Sequence, residues 1–320
     1  MVPAAVLAFN ILSLLGFLLL ILVFLTACLS PTVKRVSTWY SYIISWTIFC
    51  ITAFVVLGHQ APGDPPPSFA LCVVDSALMY ASRPFAGFAT LALILHLYLN
   101  ISTRLKNADG YVRREHVIAL LGFPPAVYIL MFLYTLILGI RTPDQVELEV
   151  GGFYCHIASQ TPAIVGAALV VLGTSVSLII EVLIAILLSR NWRAFRALQR
   201  CNEHTVSLSI ILRVSIFGLI PAVGLILTFA TYEQTLQNRI WSTYNILIAL
   251  LPLAAALVFG SQWDLIKVWM FWRRSRVSRW SRSTRVPNAR AAAPTDSGMP
   301  FFVIGPGMHP EEWEGGGKVV

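Results

Sequence analysis

The sequence predicts an all-α integral membrane protein, a seven-transmembrane helix bundle followed by a short interfacial helix and a tail. Three observations lead to this prediction. Of the 320 residues, 57% are hydrophobic and only 12% are charged, whereas soluble domains carry roughly 25% charged residues. The apolar residues fall in long uninterrupted runs, and the basic residues are concentrated between alternate runs. Five scattered cysteines do not indicate a disulfide scaffold or a zinc cluster.

Seven of the apolar runs reach about 20 residues, which as a helix crosses the hydrocarbon core of a bilayer. Each run must be helical because lipid offers no hydrogen-bond partners to the backbone. Turn-forming sequences such as Ser30-Pro31 and Thr142-Pro143 separate several of them. The predicted spans cover residues 5–29, 39–58, 71–101, 117–140, 162–188, 207–230 and 240–262.

The distribution of Lys and Arg predicts an N-terminus outside the cell and a C-terminus in the cytoplasm. With this orientation, all but four of the 23 Lys and Arg residues lie on the cytoplasmic side, as the positive-inside rule requires. The net charge of +8 then arises from a basic cytoplasmic face. We expect this face to meet anionic inner-leaflet lipid and acidic protein partners, so the charge does not indicate nucleic-acid binding. Because the first run lacks a basic leader, we expect it to be retained as a span.

The segment after the seventh span changes character twice. Trp263, Ile266 and Trp269 alternate with Asp264 and Lys267 at helical spacing, which predicts an amphipathic interfacial helix over residues 263–275. Residues 276–320 are rich in Arg, Ser, Pro and Gly without periodicity, which predicts a disordered cytoplasmic tail. The expected organisation is therefore one membrane domain, residues 1–275, and this tail.

Seven spans, an external N-terminus, a basic inner face and an eighth amphipathic helix resemble the architecture of the G-protein-coupled receptor superfamily. Two cysteines add to the resemblance: Cys72 lies at the outer start of the third span, and Cys155 lies in the second outer loop, after Gly151-Gly-Phe-Tyr. The resemblance implies a disulfide between them, which the oxidising exterior would preserve. Two unpaired cysteines that face outward are the alternative.

The short motifs of rhodopsin-like receptors are missing from this sequence. The third span ends at Arg104 without an acidic-Arg-aromatic triplet, and the seventh span has Asn245 and Pro252 but no Asn-Pro-x-x-Tyr. The resemblance is therefore to divergent fungal and amoebal receptors, of the cyclic-AMP-receptor-like or glucose-sensing type. It implies a plasma-membrane protein that senses a small extracellular molecule, a lipid or a lipidated peptide and couples to a heterotrimeric G protein.

Charged residues inside spans are functional candidates, because one at the centre of a membrane helix costs about 2.5–3.5 kcal/mol. On the third span, Asp75 and Arg83 lie on broadly one face, with Tyr80 between them in sequence. We expect these three residues to line a ligand site for an anionic or polar molecule in the outer half of the bundle. A structural ion pair with a neighbouring span is an equally good interpretation.

A second charged pair lies deeper, toward the cytoplasmic ends of the fifth and sixth spans. Glu181 and Arg213 are at similar depths on helices that neighbour one another in a receptor fold. A salt bridge between them is predicted to hold the sixth span inward, with Pro221 as the hinge about which it swings. The alternative is a permanent packing bridge.

Seven arginines on the cytoplasmic side are predicted to contact the G protein. Four of them recur at helical spacing after the fifth span, as one basic stripe. Anchoring to lipid headgroups is the alternative role for the same residues. They are Arg104, Arg113, Arg114, Arg190, Arg193, Arg196 and Arg200.

The sequence contains none of the patterns that would indicate an enzyme. None of the four lysines lies in a span, which excludes covalently bound retinal, and no nucleophile, zinc-hydrolase or phosphate-binding motif is present. We therefore expect no catalytic site, cofactor or metal. A seven-span transporter or lipid exporter is the alternative function, although repeated halves around a midplane site are absent from the sequence.

Overall fold

The computed structural model describes residues 3–106, 112–193 and 237–270, apart from residues 32, 34, 62 and 150. In these ranges the chain is a bundle of helices with one small hairpin. The hairpin lies between α4 and α5, and a single 3-10 turn, Pro143–Gln145, precedes it. The elements are α1 (Ala4–Leu29), α2 (Ser37–Thr52), α3 (Phe69–Lys106), α4 (Arg114–Arg141), β1 (Val146–Leu148), β2 (Cys155–Ile157), α5 (Gln160–Arg190), α6 (Gln237–Gly260) and α7 (Trp263–Trp269).

Five helices in the described ranges are long and apolar enough to cross a membrane: α1, α3, α4, α5 and the Ser242–Gly260 part of α6. The chain is therefore a mostly helical membrane protein. Exposed apolar side chains on α4, such as Ile129, Leu130 and Ile140, would face lipid. The predicted sixth span and the tail lie outside the described residues.

The second predicted span differs most from the structure. Residues 39–58 were expected to form one helix, but α2 ends at Thr52 and the chain continues in turns to residue 58. Its 16 residues make a helix of about 24 Å, shorter than the bilayer core. Trp39, Tyr42 and Phe49 of α2 are buried, so the helix packs within the bundle.

The direction of each helix follows from its contacts. We call the end of the bundle that carries the β1–β2 hairpin the hairpin end, and the opposite end the α7 end. A Cβ added to Gly139 of α4 would meet Val73, near the start of α3, whereas one added to Gly173 of α5 would meet Phe88. Helices α1 to α5 therefore alternate in direction. Helix α6 does not continue this alternation, because it starts at the hairpin end, as α5 does.

Helix α6 runs parallel to α1 in close contact with it. A Cβ added to Gly16 of α1 would lie 3.2 Å from the backbone nitrogen of Leu253 and 3.3 Å from Cβ of Pro252. One turn from the α7 end, a Cβ added to Gly260 would lie 2.9 Å from Val23. Small residues at such positions let helix backbones approach, which is how membrane helices gain packing energy without a hydrophobic driving force between them.

Helix α7 is anchored to the first two helices. The Arg35 guanidinium pairs with the Asp264 carboxylate at 2.5 Å, and the Trp269 indole N–H donates to the Thr26 hydroxyl at 2.9 Å. Leu265 is fully buried between these contacts, whereas Trp263 is exposed. The amphipathic helix expected over residues 263–275 is thus present as far as Trp269, and the positions after Met270 lie outside the described residues.

Candidate functional site

The site is organised by the β1–β2 hairpin, which the sequence analysis did not predict. Val146 pairs with Ile157 and Leu148 with Cys155 in an antiparallel ladder. At the turn, Gly152 has a φ of +75°, a conformation that favours glycine, and a Cβ there would lie 3.1 Å from the Gln60 carbonyl oxygen. The alternating segment from Val146 onward and the following glycine pair are the signal that could have indicated a hairpin.

A disulfide between Cys72 and Cys155 joins β2 to the first turn of α3, as the receptor resemblance implied. Their Cα atoms are 5.2 Å apart, within the usual range for a cystine. Both residues are buried, together with Val56. The hairpin is thus covalently fixed to the start of the central helix.

Helix α3 also supplies a polar partner for the free edge of β2. The amides of Cys155 and Ile157 face away from β1, because they occupy the non-hydrogen-bonded pairs of the ladder. The Cys155 amide donates to Oδ2 of Asp75 at 2.7 Å, and Tyr80 lies near the Ile157 backbone. One of the three residues predicted to bind ligand, Asp75, therefore holds the hairpin in place.

Gln60 is a third anchor, and no pattern in the sequence indicated it. Its Oε1 accepts a hydrogen bond from Asn10 of α1 at 2.6 Å, and its Nε2 donates to the Phe153 carbonyl at 3.2 Å. The Phe153 ring packs edge-on against Phe9, with ring centroids 5.5 Å apart. Because Phe153 and Tyr154 are both buried, the hairpin covers this end of α1, α2 and α3.

The third predicted residue, Arg83, lies beneath the hairpin. It comes eight positions after Asp75, which is about 12 Å further along α3. Its guanidinium carbon is 5.3 Å from the centroid of the Tyr154 ring, a cation–π distance. Tyr80 and Tyr244 of α6 interact with it electrostatically. The site therefore joins α3, the hairpin and α6.

No carboxylate neutralises Arg83 within the described ranges. The ion pairs found there, within 4.0 Å, are Arg35 with Asp264 and His156 with Glu147. The Nε of Arg83 is buried and has no hydrogen-bond partner in that part of the chain. The expected alternative, an ion pair to a neighbouring helix, is not found among these residues.

Two local features shape the hydrogen bonding around Arg83. Pro84 has no N–H, so the Tyr80 carbonyl one turn earlier loses its helical donor. Burial raises the pKa of Tyr154 above its ordinary value, so its hydroxyl stays protonated and can donate. The site therefore holds one carbonyl acceptor without its helical donor, but the guanidinium and the Tyr154 hydroxyl make it rich in donors, and it carries a positive charge. In the described ranges, no three His, Cys, Asp or Glu side chains come together as a metal ion would need.

The predicted switch is described only in part. Glu181 lies on the buried face of α5, between Ile180 and Ile184, and its Oε1 has no hydrogen-bond partner in the described part of the chain. Arg213 and Pro221 lie outside the described residues. The salt bridge and the hinge therefore stay predictions.

The predicted G-protein contacts gather at the α7 end, where α3 and α5 end and α4 begins. Arg113, Arg114, Arg190 and Arg193 are exposed there, and Arg104 is partly buried. Arg196 and Arg200 lie outside the described residues. The hairpin end and the α7 end thus differ in chemistry: a covered donor-rich site at one, and exposed cations at the other.

No protein-family model matches this sequence, and no match is found among the curated proteins either.

Proposed function

We propose that this chain is a G-protein-coupled-receptor-like signalling protein of the plasma membrane. In this proposal the hairpin end faces outside, the α7 end faces the cytoplasm, and residues 207–230 form the sixth of seven spans. A small extracellular or lipidic ligand binds near Arg83, and a heterotrimeric G protein docks on the arginines of the α7 end.

The observation that carries the proposal is the Cys72–Cys155 disulfide. A cystine persists on the oxidising side of a membrane, which favours placing the hairpin end outside. It also fixes the α4–α5 connection over the start of the central helix, so that a ligand bound beneath the hairpin contacts both.

The charge distribution independently favours the same orientation. Arg113, Arg114, Arg190 and Arg193 are exposed at the α7 end, and basic residues flanking membrane helices lie mainly in the cytoplasm. An exposed basic surface suits an acidic amphipathic element of a G protein, with α7 held beside it by the Arg35–Asp264 pair.

Helix directions support the seven-span count. Helix α5 ends at the α7 end, and α6 starts at the hairpin end. The connection between them leaves from one end of the bundle and arrives at the other, and the predicted sixth span falls within it. An odd number of spans would put the two termini of the bundle on opposite sides.

The test is nucleotide exchange. Wild-type protein in lipid nanodiscs is mixed with a panel of heterotrimeric G proteins, and GDP release is measured with and without candidate ligands. The Arg190→Ala/Arg193→Ala double variant should lose most of the stimulated exchange, whereas Arg141→Ala at the hairpin end should keep it. In parallel, transbilayer movement of a fluorescent phospholipid is measured in liposomes.

Exchange without lipid movement would support the receptor. Lipid movement without exchange would replace it with the transporter or lipid exporter. Equal exchange by the double variant and the wild type would refute the assignment of the docking surface.

A further inference from the structure

We propose that Arg83 binds an anionic head group, a carboxylate or a phosphate, and that Tyr154 and Tyr244 complete this anion site. The inference rests on the proposed function, since it names the chemical class of ligand for the same site. It also changes the roles expected from the sequence, because Asp75 holds the hairpin and Arg83 supplies the positive charge.

The first argument is charge balance. Asp75 is the acidic residue nearest to Arg83 in sequence, but one of its oxygens accepts the Cys155 amide, and it makes no ion pair with Arg83. Glu149 lies near Tyr154, but its carboxylate accepts the Gly151 amide at 2.8 Å. Arg83 therefore has no carboxylate partner in the described ranges, and a cation without one in a membrane-spanning helix is costly and marks a ligand or ion pathway. A bound anion would supply a countercharge there.

The second argument is hydrogen-bonding capacity. A guanidinium carries five N–H donors in a planar fork, which matches the two oxygens of a carboxylate or phosphate. The Nε of Arg83 is buried without a partner among the described residues. The Tyr154 ring lies against the guanidinium, with 5.3 Å between its centroid and Cζ, and so fixes the orientation of the fork. The hydroxyl of the buried Tyr154 adds a further donor beside the fork, so the site is suited to an acceptor.

The third argument is position. Arg83 belongs to the part of α3 that is long and apolar enough to span a membrane, and its side chain is only partly buried. The hairpin covers the end of the bundle above it through Phe153 and Tyr154, which are buried. An anion could reach the site as a free ion from water or as the head group of an amphiphile, and the same site chemistry would bind either.

The experiment measures the unfolding temperature of the full chain in an uncharged detergent, with added probes. Dodecanoate and dodecyl phosphate carry the anionic groups on a dodecyl chain, dodecanol carries the chain without charge, and acetate and inorganic phosphate carry the charge without the chain. We expect the anionic amphiphiles to raise the unfolding temperature by several degrees more than dodecanol does. If acetate and phosphate act equally well, the source is a free anion; if only the dodecyl compounds act, it is a lipid head group.

Three variants assign the effect to Arg83. Arg83→Gln should abolish the difference between dodecanoate and dodecanol, and Arg83→Lys should keep only part of it, because an ammonium lacks the planar fork. Arg141→Gln, an exposed cation at the same end of the bundle, should leave it unchanged. If Arg83→Gln does not fold, Arg83→Lys and Tyr154→Phe carry the test through a weaker dodecanoate response.

An equal response to dodecanoate and dodecanol in the wild type would overturn the anion site, and so would a full response in Arg83→Gln and Arg83→Lys. These outcomes are independent of the receptor proposal. Anion binding without nucleotide exchange would keep the site and refute the receptor. Exchange driven equally well in the wild type and in Arg83→Gln would keep the receptor and refute the site.

Discussion

Removing the Cys72–Cys155 disulfide should destabilise the bundle without abolishing its helices. The two cysteines are separated by 83 positions, and closing a loop of that size in a flexible chain is worth about 4.5 kcal/mol. An unfolded membrane protein keeps much of its helical structure in the bilayer, so its chain has less entropy to lose. We therefore expect the Cys72→Ser/Cys155→Ser variant to lose about 2–4 kcal/mol, or roughly 5–15 °C in unfolding temperature.

The protein contains its own reporter for this measurement. Cys50 is fully buried, so a thiol-reactive dye reaches it only as the bundle opens. Cys28 is exposed, and it and Cys201 are replaced with Ser in both proteins. In the reduced samples the reductant is removed before the dye is added. Labelling of Cys50 is followed during heating by peptide mass, so that the thiols of Cys72 and Cys155 do not contribute.

Reduction should lower the unfolding temperature of the parent and leave that of the double-serine variant unchanged. Equal unfolding temperatures for the two proteins would refute the reasoning about the loop. Alkylation of Cys72 and Cys155 in the unreduced, folded protein would remove its premise.

Three further predictions test the packing. Gly16→Ala should destabilise the bundle by about 1–3 kcal/mol, because the new methyl group meets the backbone of α6. The control is Gly122→Ala, whose methyl group meets nothing within 4 Å. In the same thermal assay this control should be neutral or stabilising. Gln60→Leu should lower the free energy of unfolding by about 2–4 kcal/mol, because two hydrogen bonds are lost. It should also speed hydrogen exchange in residues 151–157. Unchanged exchange there would contradict the role of Gln60 as an anchor. A double-mutant cycle with Arg35→Ala and Asp264→Ala should give a coupling free energy of about 1 kcal/mol. Because Asp264 is partly exposed, this coupling should weaken with salt. Zero coupling at low salt would show that the pair does not hold α7.

The long helices could be predicted because an apolar run of membrane length has few alternatives. Helix α1 covers Ala4–Leu29, where the sequence predicts 5–29, and α4 and α5 extend only a few residues beyond their predicted spans. The end of α2 could not be predicted in this way. Residues 53–58 are as apolar as the helix before them, and their turns are formed by backbone hydrogen bonds three residues apart that lead to Gly58 with a φ of +96°, which hydropathy does not measure.

The site was predicted less completely than the helices. Arg83 was identifiable because a charge within a membrane span is costly, but the role of Asp75 was not. Its hydrogen-bond partner, Cys155, is 80 positions away, and nothing in the local sequence of α3 indicates a backbone amide as that partner. Gln60 was overlooked for the same reason, because its contacts with Asn10 and Phe153 exist only once the hairpin has folded over the bundle.

The close contact between α1 and α6 has a consequence for biogenesis. The first helix to leave the ribosome packs against one of the last, so α1 must wait in the bilayer while the intervening segments are inserted. Until α6 arrives, the side of Gly16 that faces Pro252 and Leu253 has no protein to pack against. A chain truncated before α6 should therefore be retained and degraded by membrane quality control, even though all of its earlier helices can still insert.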